Sequence, residues 1–168
     1  IAGRHYALNE GVPFSIAQAI EQHYWPLQAG SRLPDNNIGV CVALADRIDT
    51  LVGIFGVGMH PTGSKDPFAL RRASLSILRI LIEKSYFLDL EELIKFSAQG
   101  FVEDQLDPAT QTSVLEYIID RLPTYYHENN VAVQTLRSVT NLGIFCPLDV
   151  DLRVKAVVLF SDLPMAER

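Results

Sequence analysis

Apolar residues recur along this chain at spacings of three and four. No stretch alternates with a period of two, so the sequence predicts helices almost throughout and an all-α fold. Phe14, Ile16, Ala17, Ile20 and Tyr24 follow Pro13 at helical spacing. Proline suits a first turn because the N–H it lacks would have no partner there. Pro26 stops that helix, and Gly30–Asn37 reads as a loop. Residues 38–57 read as a long buried helix, apolar at Ile38, Cys41, Val42, Ala45, Ile48, Leu51 and Val52, and a break follows at Gly58–Lys65. Asp66-Pro67 predicts a helix start, because aspartate caps free N–H groups and proline costs nothing in the first turn. That helix should reach about Lys84, with Leu70, Ile77, Leu78 and Leu81 on its apolar face and Arg72, Ser76, Arg79 and Glu83 opposite. Asp89 with Glu92 has capping-box spacing for a helix to about Gly100. Asp107-Pro108 repeats the start signal for a helix through Val114, Leu115, Ile118, Ile119 and Leu122, which Pro123 should kink or end. Residues 131–140 and 149–162 read as two more helices. The composition turns acidic over 101–108, so two units are expected, 1–100 and 101–168.

The 168 residues are 48% hydrophobic and 20% charged, the composition of an ordinary globular chain, which excludes disorder and low complexity. A chain of this length buries roughly 70% of its unfolded surface, enough for a core without covalent staples. The two cysteines, Cys41 and Cys146, make no framework and no CxxC, so a reduced, cytosolic setting is expected. No apolar run approaches the ~18 residues that span a bilayer, and no signal-peptide pattern opens the chain. Ile1 is not an initiator methionine, and the chain is expected to be a piece of a longer one.

The net charge of −6 disfavours nucleic-acid binding by the chain as a whole, but the charge is unevenly spread. Residues 61–84 carry Lys65, Arg71, Arg72, Arg79 and Lys84 against Asp66 and Glu83, a net +3, while residues 85–130 carry a net −7. A phosphate-bearing partner would meet the chain at the positive segment. The alternative is a solvated helix face that happens to carry arginines.

The four histidines are His5, His23, His60 and His127. None has a second histidine or cysteine at ligand spacing, which argues against zinc. His23, in Gln22-His23-Tyr24-Trp25-Pro26, reads as a structural residue near a helix end. Asp46 and Asp49 sit three apart in an apolar helix and share a face, which Gly53 and Gly56 continue. Buried carboxylates need partners. These two point either to a metal- or phosphate-facing site or to ion pairs with Arg47, Arg71 or Arg72, while the glycines suit close approach of another helix. Gly58–Lys65 runs G-x-x-x-x-G-S-K, not the G-K-[S/T] of a nucleotide phosphate loop, and it follows a predicted helix, not a strand, which excludes an ATP site there. The lysine and the helix start beyond it still suit an anion, although Asp66 partly cancels that field. No Ser/His/Asp or Cys/His arrangement emerges from spacing.

One stretch carries a specific resemblance. Val42–Arg72, above all Pro61-Thr62-Gly63-Ser64-Lys65-Asp66-Pro67-Phe68-Ala69-Leu70-Arg71-Arg72, closely resembles the beta subunit of bacterial heterotetrameric glycyl-tRNA synthetase. Gly3-Arg4-His5-Tyr6-Ala7, His23-Tyr24-Trp25-Pro26 and Asn141–Phe160 also fit, so the resemblance covers nearly the whole chain.

The resemblance implies that residues 1–100 belong to an HD-like helical domain lacking its N-terminal part, and 101–168 to the helical region after it. It implies partnership with tRNA(Gly) and with an alpha subunit in an alpha2beta2 assembly. The alpha subunit would use ATP and Mg, and no cofactor is expected in this piece. Catalytic residues are not expected either. Lys65, Arg71, Arg72 and Arg79 are the candidate RNA-binding residues, each with an internal neutralising role as the alternative. HD enzymes hold a metal with a histidine, a His-Asp pair and a later aspartate. Asp46 matches that aspartate by its Ala-Asp context, but no histidine here precedes an aspartate. His23, Asp46 and Asp49 are therefore candidates for a vestigial site, and no metal is expected. The rival functions are an HD-type metal-dependent phosphohydrolase and a pure protein-interaction module.

Overall fold

A computed structural model describes residues 2–28, 30–61, 65–102, 105–128 and 131–161, with the backbone alone at Glu128. The described residues form nine α-helices and no β-strand: α1 Ala2–Asn9, α2 Phe14–Gln22, α3 Asn37–Gly56, α4 Leu70–Glu83, α5 Leu90–Ala98, α6 Thr110–Ile119, α7 Leu122–Glu128, α8 Val133–Thr140 and α9 Pro147–Ser161. The all-α expectation holds.

Helix α4 is the axis of the molecule. It packs on α3, α6, α7 and α9, so apolar neighbours meet it from several directions. Leu70, Ile77, Leu78 and Leu81 are fully buried as their spacing predicts. Ser74, Ser76, Ile80 and Ile82 are buried as well, so the polar face predicted opposite is narrower than expected. Ser76 tolerates burial because its Oγ donates to the Arg72 carbonyl at 2.7 Å, within the same helix. The helix starts later than Asp66-Pro67 suggests. Ala69 sits in the left-handed region at φ 54°, which interrupts the helix and leaves Leu70 as its first residue. Asp66 still caps it, accepting from the N–H groups of Leu70 (2.8 Å) and Arg71 (3.0 Å).

Helix α3 is long, as predicted, but only one side of it is buried. The Asn36 side chain caps its start, accepting from the Gly39 N–H at 2.8 Å. Val40, Ala43, Leu44, Ile48, Leu51, Val52 and Phe55 enter the core. Ile38, Cys41, Val42 and Ala45 lie on the exposed side. At its end the glycines admit a loop, not a helix. A Cβ on Gly56 would overlap the Leu106 side chain, one on Gly53 would meet the Phe101 ring at 3.3 Å, and the Asp107 N–H donates to the Gly56 carbonyl.

Asp89 caps α5 through the N–H groups of Glu91 and Glu92, and Asp107 accepts from the Ala109 N–H just ahead of α6. Pro123 does not end the preceding helix. That helix has already stopped at Ile119, and Pro123 sits in the first turn of α7, where its missing N–H costs nothing. The apolar core runs from Val40 to Val154, with members on both sides of residues 101–108.

Candidate nucleic-acid interface

The four cations singled out in the sequence have different surroundings. Lys65 and Arg72 are exposed, and neither makes an ion pair among the described residues. Arg72 lies in the first turn of α4 and Lys65 just ahead of the capping Asp66. Arg71 is half-buried and turned to the protein: it acts on Tyr117 of α6, whose hydroxyl is pushed up chiefly by burial, then by the Asp66 charge, with Arg121 and Arg71 opposing. Arg79 departs most from the outward orientation expected of it. Its side chain is 11% exposed and makes a two-pronged ion pair with Glu83, Nε to Oε1 at 2.7 Å and Nη2 to Oε2 at 3.1 Å. The i, i+4 spacing of Arg79 and Glu83 makes that pair available within one helix. Thr62, Gly63 and Ser64, which belong to the anion-suited loop, lie outside the described residues.

The acidic pair lies on the open side of α3, not in the buried setting expected of it. Asp46 and Asp49 are exposed, so they need no buried partner, and no ion pair joins them to Arg47, Arg71 or Arg72 among the described residues. They open onto a groove of about 900 Å³ between α3 and α5 whose lining does not include His23. The His23 ring instead lies against Tyr24, with centroids 3.9 Å apart. Among the described residues no three His, Cys, Asp or Glu side chains stand together as a metal-binding group. The structure thus does not bring His23 to Asp46 and Asp49 in one cluster.

The buried charge on α3 is Arg47, at 8% exposure. Its Nη1 donates to the carbonyls of His23 (2.7 Å) and Ala43 (2.9 Å), and its Nη2 to those of Tyr24 (3.1 Å) and Trp25 (3.0 Å). Burial lowers its affinity for the proton, and the neighbouring Asp46 charge offsets part of that. A planar guanidinium can serve several carbonyls at once, which a lysine cannot. Sequence spacing points to Arg47 only as a partner for carboxylates. An arginine inside an apolar helix, one turn after Ala43, is the signal for this role. A second polar lock lies beside it: Gln22, itself buried, donates from Nε2 to Asp35 Oδ2 at 2.6 Å and accepts from the Asp35 N–H at 2.8 Å. Arg32 stacks over Trp25 at 3.7 Å from the ring centroid. These contacts fix the His23-Tyr24-Trp25-Pro26 segment against α3.

The family model for the glycyl-tRNA synthetase beta subunit matches residues 1–141, most of the chain and all the candidate cations. The chain belongs to the glycyl-tRNA synthetase beta-subunit family. The glycine–tRNA ligase beta subunits of Pseudomonas putida and Pseudomonas fluorescens are each 49% identical to it over 99% of its length, and that of Azotobacter vinelandii is 48% identical. The chain spans 24% of the length of these relatives. Family membership thus agrees with the resemblance in Val42–Arg72. Among the described residues no helix is long and apolar enough to cross a membrane.

Proposed function

We propose that this chain is a non-catalytic part of a glycyl-tRNA synthetase beta subunit that supports tRNA(Gly) binding while the whole enzyme joins glycine to the tRNA at the expense of ATP. On this reading an alpha subunit, in an alpha2beta2 assembly in the cytoplasm, supplies the ATP and Mg site. Residues 1–100 serve as part of an HD-like helical domain and 101–168 as the region after it.

The observation that carries the reading is the pair of outward cations, Lys65 and Arg72, on either side of the cap of α4 in a family whose name specifies tRNA charging. Lysine and arginine bind phosphate oxygens, and such contacts hold an RNA in place without reading its sequence. Arg71 and Arg79 take a supporting role: Arg79 is committed to Glu83, and Arg71 holds the α4 start against α6. Membership of the beta-subunit family favours this reading over the phosphohydrolase alternative.

The test uses the intact enzyme carrying Arg72→Glu. The expected result is a KM for tRNA raised several-fold, with glycine- and ATP-dependent pyrophosphate exchange unchanged, because the substitution touches only the tRNA side of the reaction. Equal loss in both assays, or no change in either, overturns the proposal.

A further inference from the structure

The groove between α3 and α5 has a mostly apolar lining. Val42, Leu93 and Phe96 form its walls, with Leu88 and Cys41 beside them. Phe96 is 74% exposed and Val42 43% exposed. Ile38, Val42 and Ala45 run along the outward side of the 20-residue α3 at spacings of four and three, so the open stripe follows a helix axis for two turns. Two helices flanking an apolar trough form the seat of a third, which would enter with apolar side chains at i, i+3, i+4 and i+7. Among the described residues, the charged members of the lining are Asp46 and Asp49. Both lie on α3, and a helix seated there would meet two uncompensated carboxylates unless it brought cations.

We infer that the groove is an internal docking seat, filled by an amphipathic, lysine-bearing helix from the remainder of the same beta subunit. This rests on the family membership and not on the tRNA reading. Three things select that occupant over others. The relatives carry about three quarters of their length outside the part that this chain matches, so covering sequence is available in the same polypeptide at high effective concentration. The paired carboxylates select a basic partner and disfavour a second copy of the same acidic face, since like charges set opposite one another are repelled. The exposed apolar area is continuous along two helices, the pattern of a surface that another element covers.

Cys41 and Cys146 give a direct readout, because Cys41 lines the groove and Cys146 is buried in the core. The experiment uses the full-length beta subunit, with iodoacetamide labelling followed peptide by peptide by mass spectrometry. Cys41 is expected to react about tenfold more slowly than a free thiol in the intact subunit, reflecting occlusion that opens only by local unfolding. Phe96→Asp removes an apolar anchor and should restore fast labelling of Cys41 while Cys146 stays unreactive, which reports that the core is intact. The added carboxylate by itself would slow the thiol, so an increase reads undocking. If Phe96→Asp exposes Cys146 as well, Phe96→Ser replaces it.

Carbodiimide coupling of Asp46 or Asp49 to a lysine amine then identifies the occupant. The expected crosslinked peptide comes from the same beta subunit, outside these 168 residues, and pairs light with light and heavy with heavy in a mixture of isotopically distinct subunits. Fast labelling of Cys41 in the wild-type subunit overturns the inference. So does protection that appears only when the alpha subunit is added, a light–heavy crosslink that marks a second copy, or the absence of any crosslink. None of these readouts involves tRNA, so the inference and the tRNA reading fail separately.

Discussion

Arg47 Nη1 lies 2.7 Å from the His23 carbonyl oxygen, and through this contact a charged side chain of α3 closes the open end of α2. The last carbonyls of a helix have no partner within it, and here a buried guanidinium supplies one. The same group reaches the Tyr24 and Trp25 carbonyls, so three acceptors beyond the end of α2 depend on one side chain, while the Ala43 carbonyl it also meets lies within the α3 ladder. Arg47→Met should destabilise the fold by about 2–4 kcal/mol, because it strands buried carbonyls. Arg47→Lys should recover only part of this, since an ammonium cannot span the acceptors that the guanidinium fork spans. Urea denaturation of the wild type and both variants checks the order. A lysine variant as stable as wild type would contradict the multidentate role.

This relationship also shows what the sequence could and could not reveal. Helix spacing in Leu70, Ile77, Leu78 and Leu81 located the core of α4, because burial of a regular stripe is written in the order of residues. Asp89 announced α5 for the same reason: a cap acts on neighbours within three residues. The place of Arg47 in an apolar helix marks it, but its partners were not legible, because they lie 22 to 24 residues away beyond a loop and are backbone carbonyls, which every residue carries. Asp46 and Asp49 misled, since an apolar helix need not be buried on all sides. The candidate cations were identifiable as residue types, but which of them faces outward was decided by the packing of α6 and α7 around α4, which covers Arg71 and Arg79.

Arg79 and Arg72 should separate in their effects. Arg79→Ala breaks an ion pair beside Tyr125 whose guanidinium is covered and whose carboxylate is open to solvent, and it removes the packed arginine stem, at a cost of about 1–2 kcal/mol. Arg72→Ala, at an exposed site, should change stability by less than about 0.5 kcal/mol. Thermal denaturation of the two variants measures this directly. Similar losses for both would show that Arg72 is structural.

Gly56 is predicted to resist a side chain. Gly56→Ala would drive its methyl into Leu106, costing about 1–3 kcal/mol and exceeding the gain in helix propensity of up to ~1 kcal/mol. Adding Leu106→Ala should make the paired change less destabilising than the sum of the two single ones. A double-mutant cycle in urea tests the coupling, and strict additivity would contradict the close approach.

Alkali should weaken the fold through Tyr125 and Tyr126. Burial, followed by the charges of Glu83 and Asp151, pushes the Tyr125 hydroxyl up to about 12. Burial and Asp151, to which it donates at 3.1 Å, push Tyr126 up further. A tyrosine whose proton is held more tightly when folded adds stability that is complete below the unfolded value of about 10 and is lost as the pH climbs through the folded one. Stability should therefore fall between about pH 10 and 12, and Tyr125→Phe should flatten that fall. Urea midpoints across this range decide it, and an equal slope in the variant would contradict the assignment.

The salt dependence of tRNA(Gly) binding to the intact synthetase, wild type against Lys65→Glu with Arg72→Glu, tests the central claim most directly. If these side chains neutralise phosphates, the variant should bind more weakly at low salt, and its slope of log affinity against log salt should be shallower by about 1–2 units. Superimposable lines for the two enzymes would contradict the claim that this part of the beta subunit touches the tRNA through Lys65 and Arg72.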